Sequence, residues 1–109
     1  MGRYGIHSKI ISVPGKRDQL VGQLLKAARI VRDAPGCEIY FVSVSPTELD
    51  AVLVTEVWTA KEHHDASLLA PTVKSLIQET RPLIKKFGEV VVSVPLGGKG
   101  LLSKEPAGE

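Results

Sequence analysis

The chain has 109 residues, 14 Lys and Arg against 12 Asp and Glu, a formal net charge of +2 and an apolar share of 43%. That length holds one domain with a modest core, and near-balanced charge without a basic cluster gives no footprint for nucleic acid. No apolar run approaches a bilayer span, the N-terminal MGRYGIHSK lacks the apolar core of a signal peptide, so a cytoplasmic protein is expected, and one Cys with three scattered His provides neither a disulfide nor zinc spacing.

Tyr4 to Val13 mixes β-branched and polar residues and stops at Pro14-Gly15, which predicts a strand closed by a turn. From Lys16 to Asp33, Leu20, Val21, Leu24, Leu25, Ala28 and Val31 recur at the three-and-four spacing of one helical face. Ala34-Pro35-Gly36 ends that helix. Cys37 to Val44 (CEIYFVSV) has the Ile, Tyr, Phe and Val content of a strand. A polar turn, SPTELD, leads into Ala51 to Trp58 (AVLVTEVW), a second strand antiparallel to the first across that short loop. Thr59 and Glu62 have capping-box spacing, which predicts a helix from Ala60.

That helix breaks near Ala70-Pro71. A longer one follows, with Val73, Leu76, Ile77, Leu83 and Ile84 on its buried side and Pro82 kinking or ending it. Gly88 to Pro95 is the last strand, with Val90, Val92 and Val94 on one face. The folded domain therefore takes residues 1–96, and the Gly-rich, polar tail 97–109 is expected to be mobile or draped on a partner. The order β-α-β-β-α-β is the ferredoxin-like arrangement, an α+β fold with one antiparallel sheet. Two helices cover only one face of four strands. The other keeps apolar residues in need of a partner, and a second copy related by two-fold symmetry is the economical one.

PGKRDQL at the first helix, APGCEIY entering the second strand and TEVWTAKEHHDASLLAP resemble the antibiotic biosynthesis monooxygenase superfamily, over about Tyr4 to Pro95. The strand end Glu-x-Trp followed by a short charged helix is the most specific element. The resemblance implies a dimeric α/β barrel. It also implies a cofactor-independent oxygenase acting on a quinol or an aromatic polyketide. Other relatives degrade haem, and this chain departs from them: they use an Asn, a Trp and a helix His together, and the sequence contains no Asn. Many members carry a His near the position of Ser67.

Glu56 and Trp58 lie two apart on a strand and so share a face with Val52 and Val54. Trp58 is a core anchor, and its flat ring also suits the wall of an aromatic pocket. A carboxylate on that mainly apolar face must be exposed, paired or perturbed. An ion pair with Arg81 or a dimer partner, and a general base with a raised pKa, are both open for Glu56. His63 and His64 point about 100 degrees apart on a helix, so only one can face a given site, and periodicity does not choose between them. Tyr40 can supply a phenolic hydrogen bond. Under the oxygenase reading the base is His63, His64 or Glu56, Trp58 is the wall and Tyr40 orients the substrate, with no cofactor or metal required. The rival readings on the same fold are a dimeric small-molecule-binding or accessory protein, and an isomerase.

Overall fold

The computed structural model describes residues 2–101. The chain runs β1 (Tyr4–Ser12), α1 (Arg17–Val31), β2 (Cys37–Val44), β3 (Ala51–Trp58), α2 (Lys61–Ser67), α3 (Pro71–Thr80), a 3-10 turn over Arg81–Leu83, and β4 (Ile84–Ser93). The four strands form one sheet in the order β2-β3-β1-β4, with every neighbouring pair antiparallel. This is the ferredoxin-like α+β arrangement expected from the sequence. Among the described residues no helix is long and apolar enough to cross a membrane.

Strand alternation fixes which side chains meet the helices. On β3 the set Val52, Val54 and Trp58 is buried, as is Ile10 on the neighbouring β1. Leu20 of α1 closes a core cluster with Ile10, Val52 and Val54, and Tyr40, Val42, Leu83 and Ile84 pack against it. The opposite face of the sheet bears His7, whose Nδ1 lies 2.7 Å from the Thr55 hydroxyl, and the exposed side chains of Phe41 and Val91.

Three local expectations change. Leu83 and Ile84 are not on a helical face: α3 stops at Thr80, and the last strand begins at Ile84 rather than Gly88. Pro82 offers no amide hydrogen for an α-helical bond, so the chain tightens into a 3-10 turn before the strand. Thr59 forms no capping box, because α2 starts at Lys61 with Ala60 as its N-cap and no side-chain cap bond. The corner is held instead by the Thr59 amide donating to the Gly36 carbonyl at 2.8 Å. Gly36 has φ +83, and a Cβ there would lie 2.5 Å from Cγ of His63. Both the backbone conformation and the space demand glycine at that point. Of the tail, 97–101 has no regular structure; the expectation for 102–109 lies outside the described residues.

Strand β4 is irregular. Ile84 faces Ser12, Lys86 faces Ile11, Phe87 faces Ile10 and Val90 faces Ser8, with register shifts between Ile11 and Ser12 and between Ser8 and Ile10. Each shift puts one extra residue into β4, and the two bulges bend the strand and coil it.

Candidate active site

Between the sheet and the helices lies a cavity of about 680 Å³, within the range of small-molecule sites, and most of its wall is apolar. Helix α1 contributes Leu24, Ala27 and Val31, and α3 contributes Val73, Leu76 and Ile77. Over this lining the two helices are linked by Gln23, whose amide donates to the Thr80 hydroxyl at 3.3 Å. The Thr80 hydroxyl donates in turn to the Leu76 carbonyl at 2.6 Å.

One cluster of polar and aromatic groups lies at one end. Glu56, Trp58, Tyr40 and His64 all line the cavity. Trp58 is fully buried, and its indole Nε1 donates to Glu56 Oε1 at 2.9 Å. His64 Nε2 stands 4.0 Å from the same oxygen. The imidazole meets the indole edge-on, with centroids 5.8 Å apart and planes at 81°, and lies 5.1 Å from the ring of Tyr4. Tyr40 sits directly across from Glu56 in the β2–β3 register. His64 is thus enclosed by two aromatic rings, with 13% of its side chain exposed.

Helix α2 also fixes the ring's other nitrogen. His64 Nδ1 lies 3.0 Å from Asp65 Oδ1, and Lys61 Nζ donates to Asp65 Oδ2 at 2.7 Å one turn away. With Nδ1 carrying the hydrogen donated to Asp65, Nε2 keeps a lone pair toward the cavity. Ser67 occupies the wall a turn later, and its hydroxyl donates to the His64 carbonyl at 2.7 Å.

Burial governs the ionisation of the cluster. It pushes the Glu56 carboxyl above the ordinary carboxylate range, against the Trp58 hydrogen bond and the electrostatic pull of the neighbouring His64, which lower it. Burial raises the Tyr40 phenol as well, with Glu56 and Cys37 adding to the shift. Cys37 is raised by the same burial and by Glu56 and Glu38, so its thiol is not activated. The exposed Asp65 carboxyl is lowered by its bonds to Lys61 and His64.

The structure separates the two histidines. His64 faces the cavity; His63 is exposed and packs against Gly36 in a shallow cleft with Pro35 and Ala66. Glu56 takes Trp58 and His64 as partners, and Arg81 lies at the cavity's other end, in the 3-10 turn, so the two form no ion pair. Asp65 and Tyr4 escaped the sequence reading. The signal for Asp65 was its position directly after His64 and four residues after Lys61. Nothing local marked Tyr4, whose place comes from its pairing with Trp58 across β1 and β3. Among the described residues no cluster of His, Cys, Asp and Glu could hold a metal ion.

A family model described as antibiotic biosynthesis monooxygenase matches residues 6–79. The chain belongs to that family. A candidate antibiotic biosynthesis monooxygenase from Chloroflexus aurantiacus is 40% identical, with a TM-score of 0.84 over 91% of this chain and 98% of its own. Family-named structures from Deinococcus radiodurans and Caulobacter crescentus share the fold at 19% and 22% identity. Their TM-scores are 0.75 and 0.74, over 92% and 84% of this chain and 99% and 86% of theirs. No curated protein matches the chain. In this family member the Glu-x-Trp strand end and the helix that follows it form one wall of the cavity.

Proposed function

We propose that the protein is a cofactor-independent monooxygenase that oxidises a quinol or aromatic polyketide-like small molecule, with His64 as its base. The observation that supports this is the His64 ring, oriented by Asp65 through Nδ1 and presenting Nε2 to a largely apolar cavity beside Trp58. His64 takes the phenolic proton, and the resulting phenolate is the form that gives up electrons to dioxygen. A hydroquinone and dioxygen yield a hydroxyquinone and water, so the substrate supplies all the electrons and no external reductant enters the balance. One oxygen atom joins the ring and the other leaves as water. Trp58 walls the ring and Tyr40 donates a hydrogen bond to an oxygen on it. Burial keeps the Tyr40 phenol protonated for that role.

The protein acts as a homodimer in this reading, the second copy covering the open sheet face. The apolar side chains of Phe41 and Val91, 52% and 53% exposed there, support it. Sedimentation at micromolar concentration should give twice the 11.7 kDa chain mass. The deciding experiment is oxygen uptake on a panel of hydroquinones and anthrones without added flavin or metal. Uptake that disappears in His64→Ala and persists in His63→Ala is the expected result. Ligand binding with no uptake from any member of the panel would leave a binding protein in place of an oxygenase.

A further inference from the structure

The cavity has a second polar end. Arg81 and Lys85 line it where β4 begins, together with Ile84 and Phe87; the neighbouring Lys86 pairs with Ile11, on the other face of the sheet. Among the described residues Glu56 is the only carboxylate in the lining, and it lies at the other end. Neither Arg81 nor Lys85 takes part in an ion pair among the described residues. Two structural causes bring them together. The 3-10 turn at Arg81–Leu83 carries Arg81 to the mouth, and the first bulge of β4 inserts Lys85 opposite the Ile11–Ser12 step.

From this arrangement we infer that the substrate is an elongated amphipathic anion, with its oxidisable ring at His64 and a carboxylate at Arg81 and Lys85. The inference rests on reading the cavity as a substrate site, and it names the class of molecule that fits. Solvation alone accounts for lysines scattered on an open surface. Here two cations meet on the rim of one apolar cavity, where low-dielectric walls focus their field. The aliphatic stretch between the two ends would bind an apolar body without orienting it. Opposite chemistry at the ends sets which end enters.

Strand register fixes the length. Glu56 faces Ile6 of β1, whereas Phe87 and Ile84 face Ile10 and Ser12. Four to six residues of strand separate the ends, or roughly 13–20 Å at ~3.3 Å per residue. A compact phenolic acid, with its carboxylate on the ring, cannot reach both.

The test uses three naphthol probes: one with an alkanoate chain long enough to span that distance, its methyl ester, and a naphthol with the carboxylate directly on the ring. Trp58 is the only tryptophan, so quenching of its fluorescence reports occupancy without turnover. The long acid should bind about tenfold more tightly than its ester, the sum of two partly exposed charge pairs. High salt should erase most of that preference. In the Arg81→Gln/Lys85→Gln double variant the preference should vanish while the ester's affinity stays the same. The short acid should gain nothing over unsubstituted naphthol, which separates an end-to-end fit from general attraction to a basic protein.

Equal binding of long acid and ester, a preference that survives in the double variant, or no binding of either probe would overturn the inference. Oxygen uptake on neutral hydroquinones is scored separately. Uptake without an acid preference removes this inference alone, and an acid preference without uptake removes the oxygenase reading alone.

Discussion

Replacing Trp58 with Phe keeps most of the buried ring and removes the one donor that meets Glu56. The indole hydrogen bond spans 2.9 Å to a carboxylate whose side chain is 14% exposed. A hydrogen bond to a charged acceptor contributes about 1.5–3 kcal/mol, and one to a neutral acceptor about 0.5–1.5 kcal/mol. Trp58→Phe should therefore cost roughly 1 kcal/mol more where Glu56 is ionised than where it is protonated, beyond a constant loss from the smaller ring. The direction with pH follows from the raised carboxyl. Folded Glu56 holds its proton more tightly than the unfolded chain does, so folding takes up a proton between the ordinary carboxylate value and the raised one. Stability is unaffected by this group below that window and falls as pH rises through it. Without the indole the folded value rises further and the fall is deeper. Urea denaturation followed by circular dichroism, at one pH below the ordinary carboxylate value and one well above it, past the end of the fall in stability, measures the difference, since the variant has no tryptophan to follow. Each 1 kcal/mol corresponds to about 4–8 °C in Tm for a domain of this size. Glu56→Gln supplies the control background, in which the pH dependence of Trp58→Phe should disappear. An equal cost at both pH values, or the same pH dependence in the Glu56→Gln background, would refute this account of the pair.

His64→Ala should lower turnover by about 10²–10⁴-fold, the usual contribution of a positioned base, whereas His63→Ala should leave it within a factor of a few; steady-state oxygen uptake measures both. Gly36→Ala should destabilise by more than Gly15→Ala: both positions have positive φ, but only at Gly36 does the added Cβ meet a side chain. The shared left-handed backbone costs about 1–2 kcal/mol, and the His63 clash adds to it in a denaturation midpoint. Thr59→Ala should fall within about 0.5 kcal/mol of the parent, because the hydroxyl caps nothing; a loss near 1 kcal/mol would restore the capping box.

The order of elements was legible because each segment carries a single strong period, from the alternating AVLVTEVW to the helical spacing of Leu20, Leu24 and Val31. So was the shared face of Glu56 and Trp58, which needs only the strand's two-residue repeat. The choice between His63 and His64 was not. It depends on how α2 is rotated against β3, and a seven-residue helix with no buried residue carries too little pattern to set that angle. The capping box failed for a related reason. Spacing alone permits it, but the Thr59 amide had a backbone acceptor in Gly36, which is distant in sequence. The cationic end of the cavity was hidden by the spacing that assigns Leu83 and Ile84 to the last helix and starts the strand at Gly88, whereas β4 begins at Ile84 and carries Lys85 into the lining beside Arg81. There the bulge puts Phe87, not Lys86, on the side of Ile84.

Those two bulges make chain length a determinant of what the cavity accepts. A substitution changes one side chain, but deleting the extra residue of a bulge changes how the whole strand bends. With Lys85 deleted, Lys86 and Ile84 would still face Ile11 and Ser12, but the first bulge, the coiling it gives β4 and the cation it inserts would be gone. The sheet register of β1 and β3, and with it the Glu56–Trp58 pair, would stay as it is. Within this family, insertions and deletions in the last strand should therefore redirect ligand preference while sparing the reacting end. That offers an engineering route through strand length, leaving every residue around His64 untouched.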